Sequence, residues 1–455
     1  MPENEWIRGK RFYFLGIGGA SMSALGKHVL ECGGELYGYD AVPSEKTAEL
    51  EKAGAKIFSS VAVKEEEKAL INSSEKIVCT SAISKENARF EECVAQGKNV
   101  TYRGEFLGEI ARTFPRVVSV AGSHGKTTCT SMCAHIFFSA GKGFTAHIGG
   151  DDVSFGNYYR SGDDYFLTEA CEYKKNLLYV RPSVAVLLNI DRDHLECYRG
   201  EEELTQTFLK YCSAGKTALI CADDPKIAAA HLAYPTFGIN SENACFTAKS
   251  IINDRERYSF DFCEHGKTIC RVKLKAAGRC HILNALAAGG AARLCGISAE
   301  HIAAGLNSFE GVKRRFEKIG EVGGAAWYCD YAHHPREISA VLKTAAALTK
   351  GKLYVVFQPH TYSRTKTLMK DFANALSAAE NTMIFKEYAA REEYDEAGSA
   401  KRLAENIRGV SYCETVEELE KFAAQGGVGD TVLFLGAGDI YDIAKAIANR
   451  NRKRV

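Results

Sequence analysis

The stretch Val117–Thr130, VVSVAGSHGKTTCT, places the tightest constraint on what this chain can fold into. Its β-branched start reads as a buried strand, Gly122 and Gly125 break that strand, and Lys126, Thr127 and Thr128 open a helix that runs towards Phe138. A strand, a glycine loop and a helix start aim several backbone N–H groups and the positive end of a helix dipole at one point, which suits a polyphosphate. Gly122, Ser123, His124, Gly125 and Thr128 supply the loop, Lys126 a charge for the outer phosphates, and Thr127 a hydroxyl for the magnesium that travels with them. Val120 stands where the first glycine of G-x-x-x-x-G-K-[ST] belongs, and the nearest glycine is Gly122. The bland alternative is a tight turn without a ligand. Gly-Lys-Thr-Thr directly after a buried strand favours nucleotide binding.

A chain of 455 residues exceeds what one core can organise and predicts about three domains. Lys plus Arg (58) nearly cancel Asp plus Glu (57), so no broad surface for nucleic acid or anionic membrane is expected, and ligands must be sought in local sites. The 16 cysteines are scattered without a C-x-x-C pair, and the start MPENEWIRGK carries no secretory apolar segment. A reducing, cytoplasmic setting is expected, with residues such as Cys129 and Cys133 acting as small core side chains rather than metal ligands. No apolar run reaches membrane-spanning length.

The first predicted domain, 1–112, opens on a strand over Arg11–Gly16, then Gly16, Gly18 and Gly19, then a helix with Met22, Leu25, Val29 and Leu30 at helical spacing. A second strand, Leu36–Tyr39, ends on Asp40. This is a Rossmann-like unit in which the glycines admit a diphosphate and Asp40 can hold a ribose or base; Ser21 replaces the third glycine of the dinucleotide version. Strands are also expected at Ile77–Thr80 and Val100–Tyr102, and the KEEEK run near Val63–Leu70 reads as a solvated helix face. Thr113–Arg116, with its proline, reads as a linker.

The central domain, 113–310, continues with strands at Asp164–Thr168 and Val184–Ile190, whose ends deliver Glu169 and then Asp191, Asp193 and His194. Residues past the carboxyl ends of strands line the crevice of an open α/β sheet, so Glu169 and His194 are expected on one rim with Lys126 and Thr127 as metal-binding groups. Glu172 is an alternative to Glu169, and the sequence leaves that choice open. Strands near Thr217–Cys221 and Thr236–Gly238, a hairpin region over Cys245–Leu274, and an alanine-rich helix over Gly278–Cys295 complete the domain. His281 and Asn284 stand one turn apart on that helix.

The third domain, 311–455, holds a basic knot at Lys313, Arg314 and Arg315 and a strand Trp327–Cys329 ending on Asp330, Tyr331, Ala332, His333 and His334. Another strand, Leu353–Phe357, ends on Gln358, Pro359, His360 and Arg364, and further strands fall at Met383–Phe385 and Thr431–Leu435. The fold class is therefore α/β in three domains, Rossmann-like at both ends around a central P-loop-type ATPase domain with a mostly parallel sheet. The basic tail Arg450–Arg454 reads as a solvated end.

In order, GIGGASMSAL from Gly16, TSAI from Thr80, AGSHGKTT from Ala121, EACEY from Glu169, NIDRDHLE from Asn189, GRCHILNALAA from Gly278, KRRFE from Lys313, DYAHHP from Asp330, FQPHTYSRT from Phe357 and GAGDI from Gly436 together resemble the Mur ligases of peptidoglycan synthesis. The likeness is nearest to the branch that joins L-alanine to UDP-N-acetylmuramate, and it covers almost the whole chain. It implies an ATP-dependent, ADP-forming ligase. The donor's lactyl carboxylate takes the γ-phosphate to become an acyl phosphate, and the amine then displaces phosphate. The resemblance further implies ATP and Mg2+ or Mn2+ as cofactors, Lys126 on the phosphates, and Thr127, Glu169 and His194 on metal. Gly16, Gly18, Gly19, Asp40 and Ser81 would bind the UDP-sugar, and Asn284, Arg315 and Asp330 the ATP. His334 and Arg364 would face the amino acid, Arg364 being suited to a carboxylate. The third domain would close over the central one to shield the acyl phosphate from water. The protein is expected to be a monomer or weak dimer.

The chain departs from that pattern at Arg279, Cys280 and His281, where Gly-Arg-His-Asn is common, at Ser59 and Ser60 in place of a Gly-His pair, at Ser21, and at Glu196 in place of aspartate. Three rival functions follow: joining a tripeptide to the same sugar nucleotide, acting on another donor, or binding nucleotide without catalysis.

Overall fold

The computed structural model describes residues 5–194, 197–390 and 392–452, so Glu196 lies outside the described residues. It holds three sheets, each flanked by helices. The first is wholly parallel and runs β1 (Arg11–Leu15), β2 (Glu35–Tyr39), β3 (Lys56–Phe58), β4 (Lys76–Cys79) and β5 (Val100–Tyr102), in the order β3-β2-β1-β4-β5. Chain direction across the sheet reverses between β1 and β4, which opens a crevice beyond β1 where the glycine loop emerges.

The second sheet comprises β6 (Val117–Ala121), β7 (Phe144–Asp152), β8 (Gly156–Arg160), β9 (Tyr165–Ala170), β10 (Val184–Leu187), β11 (Thr217–Cys221), β12 (Thr236–Gly238), β13 (Phe246–Asp254), β14 (Arg257–Glu264) and β15 (Lys267–Ala277). In the order β15-β14-β13-β12-β11-β10-β6-β9-β7-β8, β6 lies between β9 and β10, both parallel to it. The third sheet holds β16 (Glu317–Val322), β17 (Ala325–Asp330), β18 (Leu353–Phe357), β19 (Asn381–Phe385), β20 (Ser411–Cys413) and β21 (Thr431–Leu435), with β21 between β17 and β18. The antiparallel β7–β8 and β16–β17 hairpins were not anticipated, although Gly323-Gly324, both at positive φ, is a two-residue turn signal between β16 and β17 that the strand pattern alone passes over.

By packing, the chain forms two compact units. One runs up to Ser250 with Phe260–Val272 and Leu283–Phe309, and the other takes Ile251–Ser259, Lys273–Ile282 and Glu310 onward. The first unit therefore contains both the first sheet and the phosphate loop. Within it, the helix Lys126–Ser139 is buried on nearly all sides from Thr127 to Phe137, as a helix covered on two faces must be. The helix Ala299–Ser308 packs closely on it through Gly305, where a Cβ would stand 2.4 Å from Ile136 Cα. The β7–β8 hairpin seats the first sheet's helix Ala20–Glu31. Asn157 Nδ2 donates to Ala20 O (2.7 Å) and Ser23 Oγ (2.8 Å), and Lys27 Nζ donates to Asn157 Oδ1 (2.9 Å).

The KEEEK run corrects one expectation. Its helix, Glu65–Ser73, does expose Glu65 and Glu66, but Glu67 is fully buried. Arg89, 1% exposed, donates to both Glu67 oxygens (2.6 and 3.1 Å), Tyr13 Oη donates to Glu67 Oε1 (2.5 Å), and the guanidinium stacks 3.7 Å from the Tyr39 ring centre. The remaining guanidinium N–H groups hold the carbonyls of Ser60 (2.7 Å) and Val61 (3.2 Å), the loop in which the sequence departs from Gly-His. One carboxylate in three on that helix is thus a core group, because a buried arginine on the facing helix compensates its charge.

Removing one member of such a pair leaves the other charge buried, at about 3–5 kcal/mol. With Trp327→Phe as background, Trp6 is the sole tryptophan and reports on this domain, packed at 5.9 Å against Phe106. Glu67→Ala is expected to move the urea midpoint of Trp6 fluorescence down by that order, whereas Glu66→Ala, on the exposed face, leaves it in place.

Candidate active site

Every residue of β6 is buried, and the strand ends at Ala121. Gly122 then takes φ 143° and Gly125 φ 85°, left-handed values that strain any L side chain. A Cβ on Gly125 would stand 2.6 Å from Asn284 Oδ1, which puts Asn284 against the loop. The end of β10 clamps the same loop. The His124 N–H donates to Asn189 Oδ1 (2.8 Å), Asn189 Nδ2 donates to His124 O (3.0 Å), and the Asp191 N–H donates to Ser123 Oγ (2.8 Å). His124 Nε2 also lies 3.0 Å from Asp191 Oδ2.

Lys126 Nζ donates to Gly122 O (2.5 Å), Ser123 O (3.1 Å) and Glu172 Oε1 (3.1 Å). Glu172 Oε2 lies 3.0 Å away as an ion pair without hydrogen-bond alignment, and it has no other donor among the described residues. Burial works against the ammonium's charge, but Glu172 foremost, then Cys171 and Glu169, hold its pKa above the usual lysine range. The lysine is therefore a fixed cation at the loop's mouth.

Three ligand-type atoms, from Glu172, Asp193 and His194, lie within 4.8 Å of one another. His194 adopts φ 55°, uncommon for a residue with a side chain, and its N–H donates to Asp193 Oδ1 (2.9 Å). The Tyr173 ring meets the imidazole edge-on at 5.1 Å. Two carboxylates and an imidazole form a donor set that accepts Mg2+ and suits Mn2+ somewhat better. Glu169 sits inside β9 rather than past its end, and its Oε1 accepts the Gly149 N–H (2.6 Å). Of the two acidic residues the sequence could not separate, Glu172 is the one joined to both Lys126 and the His194 group.

In the first domain, Asp40 Oδ2 accepts the Gly18 N–H (2.8 Å), so Asp40 braces the glycine loop. The Gly16 and Ile17 N–H groups are taken by Tyr39 O. Gly19 is exposed, and Ser81 is half-buried just past β4. Ser21, in place of glycine, lies 2.9 Å from Nε2 of His147 on β7 and 3.5 Å from Nη1 of Arg103. Neither His147 nor Arg103 stood out in the sequence. Arg103 carried one usable signal, its position immediately after the end of β5.

In the second unit, Asp330 ends β17 and accepts the N–H groups of Ala332 and Phe316 (both 2.7 Å). Burial pushes its pKa up to about 6 against the pull of Arg315 and of those two N–H groups. Arg315 stacks 5.0 Å from the Tyr331 ring centre. His281 is pushed down to about 4, by burial first and then by Arg315. His334 caps the helix Pro335–Leu348, its Nδ1 accepting from the Arg336 N–H at 3.4 Å. Arg364 Nη1 lies 3.2 Å from His360 Nδ1, and His360 stacks on Tyr388 with ring centres 5.6 Å apart. Arg315 with Asp330, and Arg364 with His360, are thus assembled at the ends of β17 and β18.

Family models match this chain in succession: the Mur ligase family catalytic domain over residues 11–115, the Mur ligase middle domain over 120–292, and the Mur ligase glutamate ligase domain over 314–438. The UDP-N-acetylmuramate–L-alanine ligase of Acetivibrio thermocellus is 36% identical over 450 residues, 96% of this chain and 95% of that protein. The chain belongs to the Mur ligase family. The enzyme of the same name from Caldanaerobacter subterraneus is likewise 36% identical, over 98% of both chains. Among solved structures, this Mur ligase superposes on the UDP-N-acetylmuramate–alanine ligase of Thermotoga maritima with a TM-score of 0.84 and 26% identity, covering 98% of this chain and 100% of that one. A murein peptide ligase from Psychrobacter arcticus shares the fold with a TM-score of 0.76 at 22% identity.

In this Mur ligase the loop leaves no room for a side chain at Gly125. Gly125→Ala is expected to abolish nucleotide triphosphate binding in calorimetric titration. The double variant Gly125→Ala/Asn284→Ala relieves the clash with Oδ1 but not the left-handed φ, which costs roughly 1–2 kcal/mol, so its affinity is expected to stay about five- to thirtyfold below that of the natural chain.

Proposed function

We propose that this protein joins L-alanine to the lactyl carboxylate of UDP-N-acetylmuramate at the expense of ATP, releasing ADP and phosphate as a step of peptidoglycan precursor synthesis in the cytoplasm. The observation that carries the reading is the phosphate loop with its fixed Lys126 beside the Glu172–Asp193–His194 group, in a chain aligned over nearly its whole length with alanine-adding relatives. The assigned domains are 1–112 for the UDP-sugar, 113–310 for ATP and 311–455 for the amino acid and part of ATP, in a monomer or weak dimer.

A carboxylate is a poor acyl donor because its oxygen leaves badly, so it is first phosphorylated, and the amine then expels phosphate from a tetrahedral intermediate. This chemistry depends chiefly on alignment and on neutralising phosphate charge. Gly122–Thr128 hold the β and γ phosphates through backbone N–H groups, and Lys126 supplies the nearest cation. Thr127, Glu169, Glu172, Asp193 and His194 hold divalent cations, Mg2+ or Mn2+, which when bound offset the charge that builds on the transferred phosphoryl group. Asn284, beside Gly125, contacts ATP from the central domain, and Arg315 and Asp330 contact it from the third. Arg364, oriented by His360, takes the carboxylate of the amino acid, and His334 lines the same pocket.

L-alanine as the amine is supported by the 35–36% identity to alanine-adding relatives from several bacteria. ADP release measured with UDP-N-acetylmuramate is expected to require L-alanine and to be negligible with a tripeptide; the opposite preference would overturn the assignment. Lys126→Ala is expected to lower kcat by at least roughly a hundredfold, the scale of losing one strong charge contact to a transition state, with an unchanged circular dichroism spectrum. Substantial residual turnover would make the loop merely structural.

A further inference from the structure

Four aromatic rings follow one another along the carboxyl edge of the third sheet. Tyr331 and His333, in the loop after β17, have ring centres 5.2 Å apart. His333 lies 6.0 Å from His360, in the loop after β18, and His360 lies 5.6 Å from Tyr388, just past β19. Arg364 stands beside the third ring, its Nη1 3.2 Å from His360 Nδ1. A guanidinium bordered by flat ring faces suits a small molecule with a carboxylate at one end and a short apolar group at the other.

Tyr388 is the outer ring of this row, and the chemistry described above gives it no task. It is 39% exposed, yet its place is fixed. Its N–H donates to Pro359 O (2.8 Å), its carbonyl accepts the Thr361 N–H (2.9 Å), and its ring is within 17° of parallel to the His360 imidazole. Its base rests on the backbone of the turn after β21. A Cβ at Gly438 would stand 2.6 Å from both Cβ and Cγ of Tyr388, so only glycine admits the tyrosine this closely. Thr361, which accepts this pairing, takes φ 68° and ψ 143°, close to a region that glycine alone occupies freely. Strained backbone on one strand end and a bare glycine on another thus hold a half-exposed ring against His360. Arg364 and Tyr388 both contact that one imidazole, so a carboxylate on the first and an alkyl group against the second must fit within about the width of a single ring. That is the reach of a three-carbon amino acid. A peptide, whose free carboxylate lies further from its amine, exceeds it.

We infer that Tyr388 determines which amines the enzyme accepts, its ring closing the side-chain end of the pocket whose carboxylate end is Arg364. The inference rests on the ligase reading proposed above, in which Arg364 takes the carboxylate of the amino acid.

The experiment compares kcat/KM for L-alanine with that for L-2-aminobutyrate, one methylene longer, in the full-length enzyme with UDP-N-acetylmuramate as donor. Tyr388→Ala is expected to lower the preference for L-alanine by roughly tenfold or more, the scale on which a pocket senses one methylene, through a gain on the longer amine. Tyr388→Phe, which keeps the ring, should keep the preference. KM for ATP and for the donor should stay within about twofold in both variants. If Tyr388→Ala lowers the thermal midpoint, Tyr388→Leu is read by the same ratio, because it retains apolar packing on Gly438 and lacks the outer half of the ring. Loss of L-alanine turnover with no gain on L-2-aminobutyrate would make Tyr388 only a support for His360 and overturns the inference, as does an unchanged ratio. Failure of the natural enzyme to turn over L-alanine instead overturns the ligase reading, and the inference with it.

Discussion

Lys126 and Glu172 meet where little water reaches them, and the central site depends on that ion pair. A lysine buried at the mouth of a phosphate loop, without compensation, would favour its neutral form and lose its use as a phosphate ligand. Here Glu172 and the carbonyls of Gly122 and Ser123 hold it charged and in place. The same carboxylate places an oxygen within 4.8 Å of ligand atoms of Asp193 and His194. One glutamate therefore couples the loop's cation to a group whose donors could hold a metal. Left-handed backbone at His194, Lys174 and Lys175 marks the turns that bring the ends of β9 and β10 to it.

Sheet order explains why these residues meet although they are far apart in sequence. β6 has β9 on one side and β10 on the other, so three successive crevice-facing loops rise from adjacent strands. The third sheet repeats the device with β21 between β17 and β18, which delivers Asp330 and Gln358 to the same edge as the Gly436 turn. Gln358 then ties that edge together, donating to Asp439 Oδ1 (2.7 Å) and accepting the Ile440 N–H (3.1 Å).

The strands that carry the site were legible because each is a short apolar run with a polar cluster or glycine at its end, and their order of use follows from a rule about strand ends rather than from any one motif. What the sequence concealed has a common physical character. Glu67 within KEEEK, His147 within FTAHIGG and Arg103 after VTY are single polar residues whose surroundings are set by partners 22 to 126 positions away. Periodicity averages over neighbours along the chain and says nothing about partners across it. The choice between Glu169 and Glu172 was hidden for a related reason: three residues of irregular backbone after a strand decide which carboxylate turns to the loop, and no spacing rule fixes that turn.

The two glycine loops show how similar sequence can serve different physics. In the central loop, Gly125 is followed by a helix whose first N–H groups point at a space that Lys126 and Glu172 border, so charge and backbone donors converge. In the first domain, Asp40 lies 2.8 Å from the Gly18 N–H and turns a carboxylate to that loop. A carboxylate there commits a backbone donor and adds negative charge, so this loop does not bring together the cation and free donors that the central one does. Ser21 Oγ, 2.9 Å from His147 Nε2 and 3.5 Å from Arg103 Nη1, ties this loop to the second sheet and brings a cation beside it. Glycine spacing thus yields a cation-bordered loop in one place and a carboxylate-braced one in the other, and the difference lies in partners, Glu172 and Asp40, that stand outside both loops.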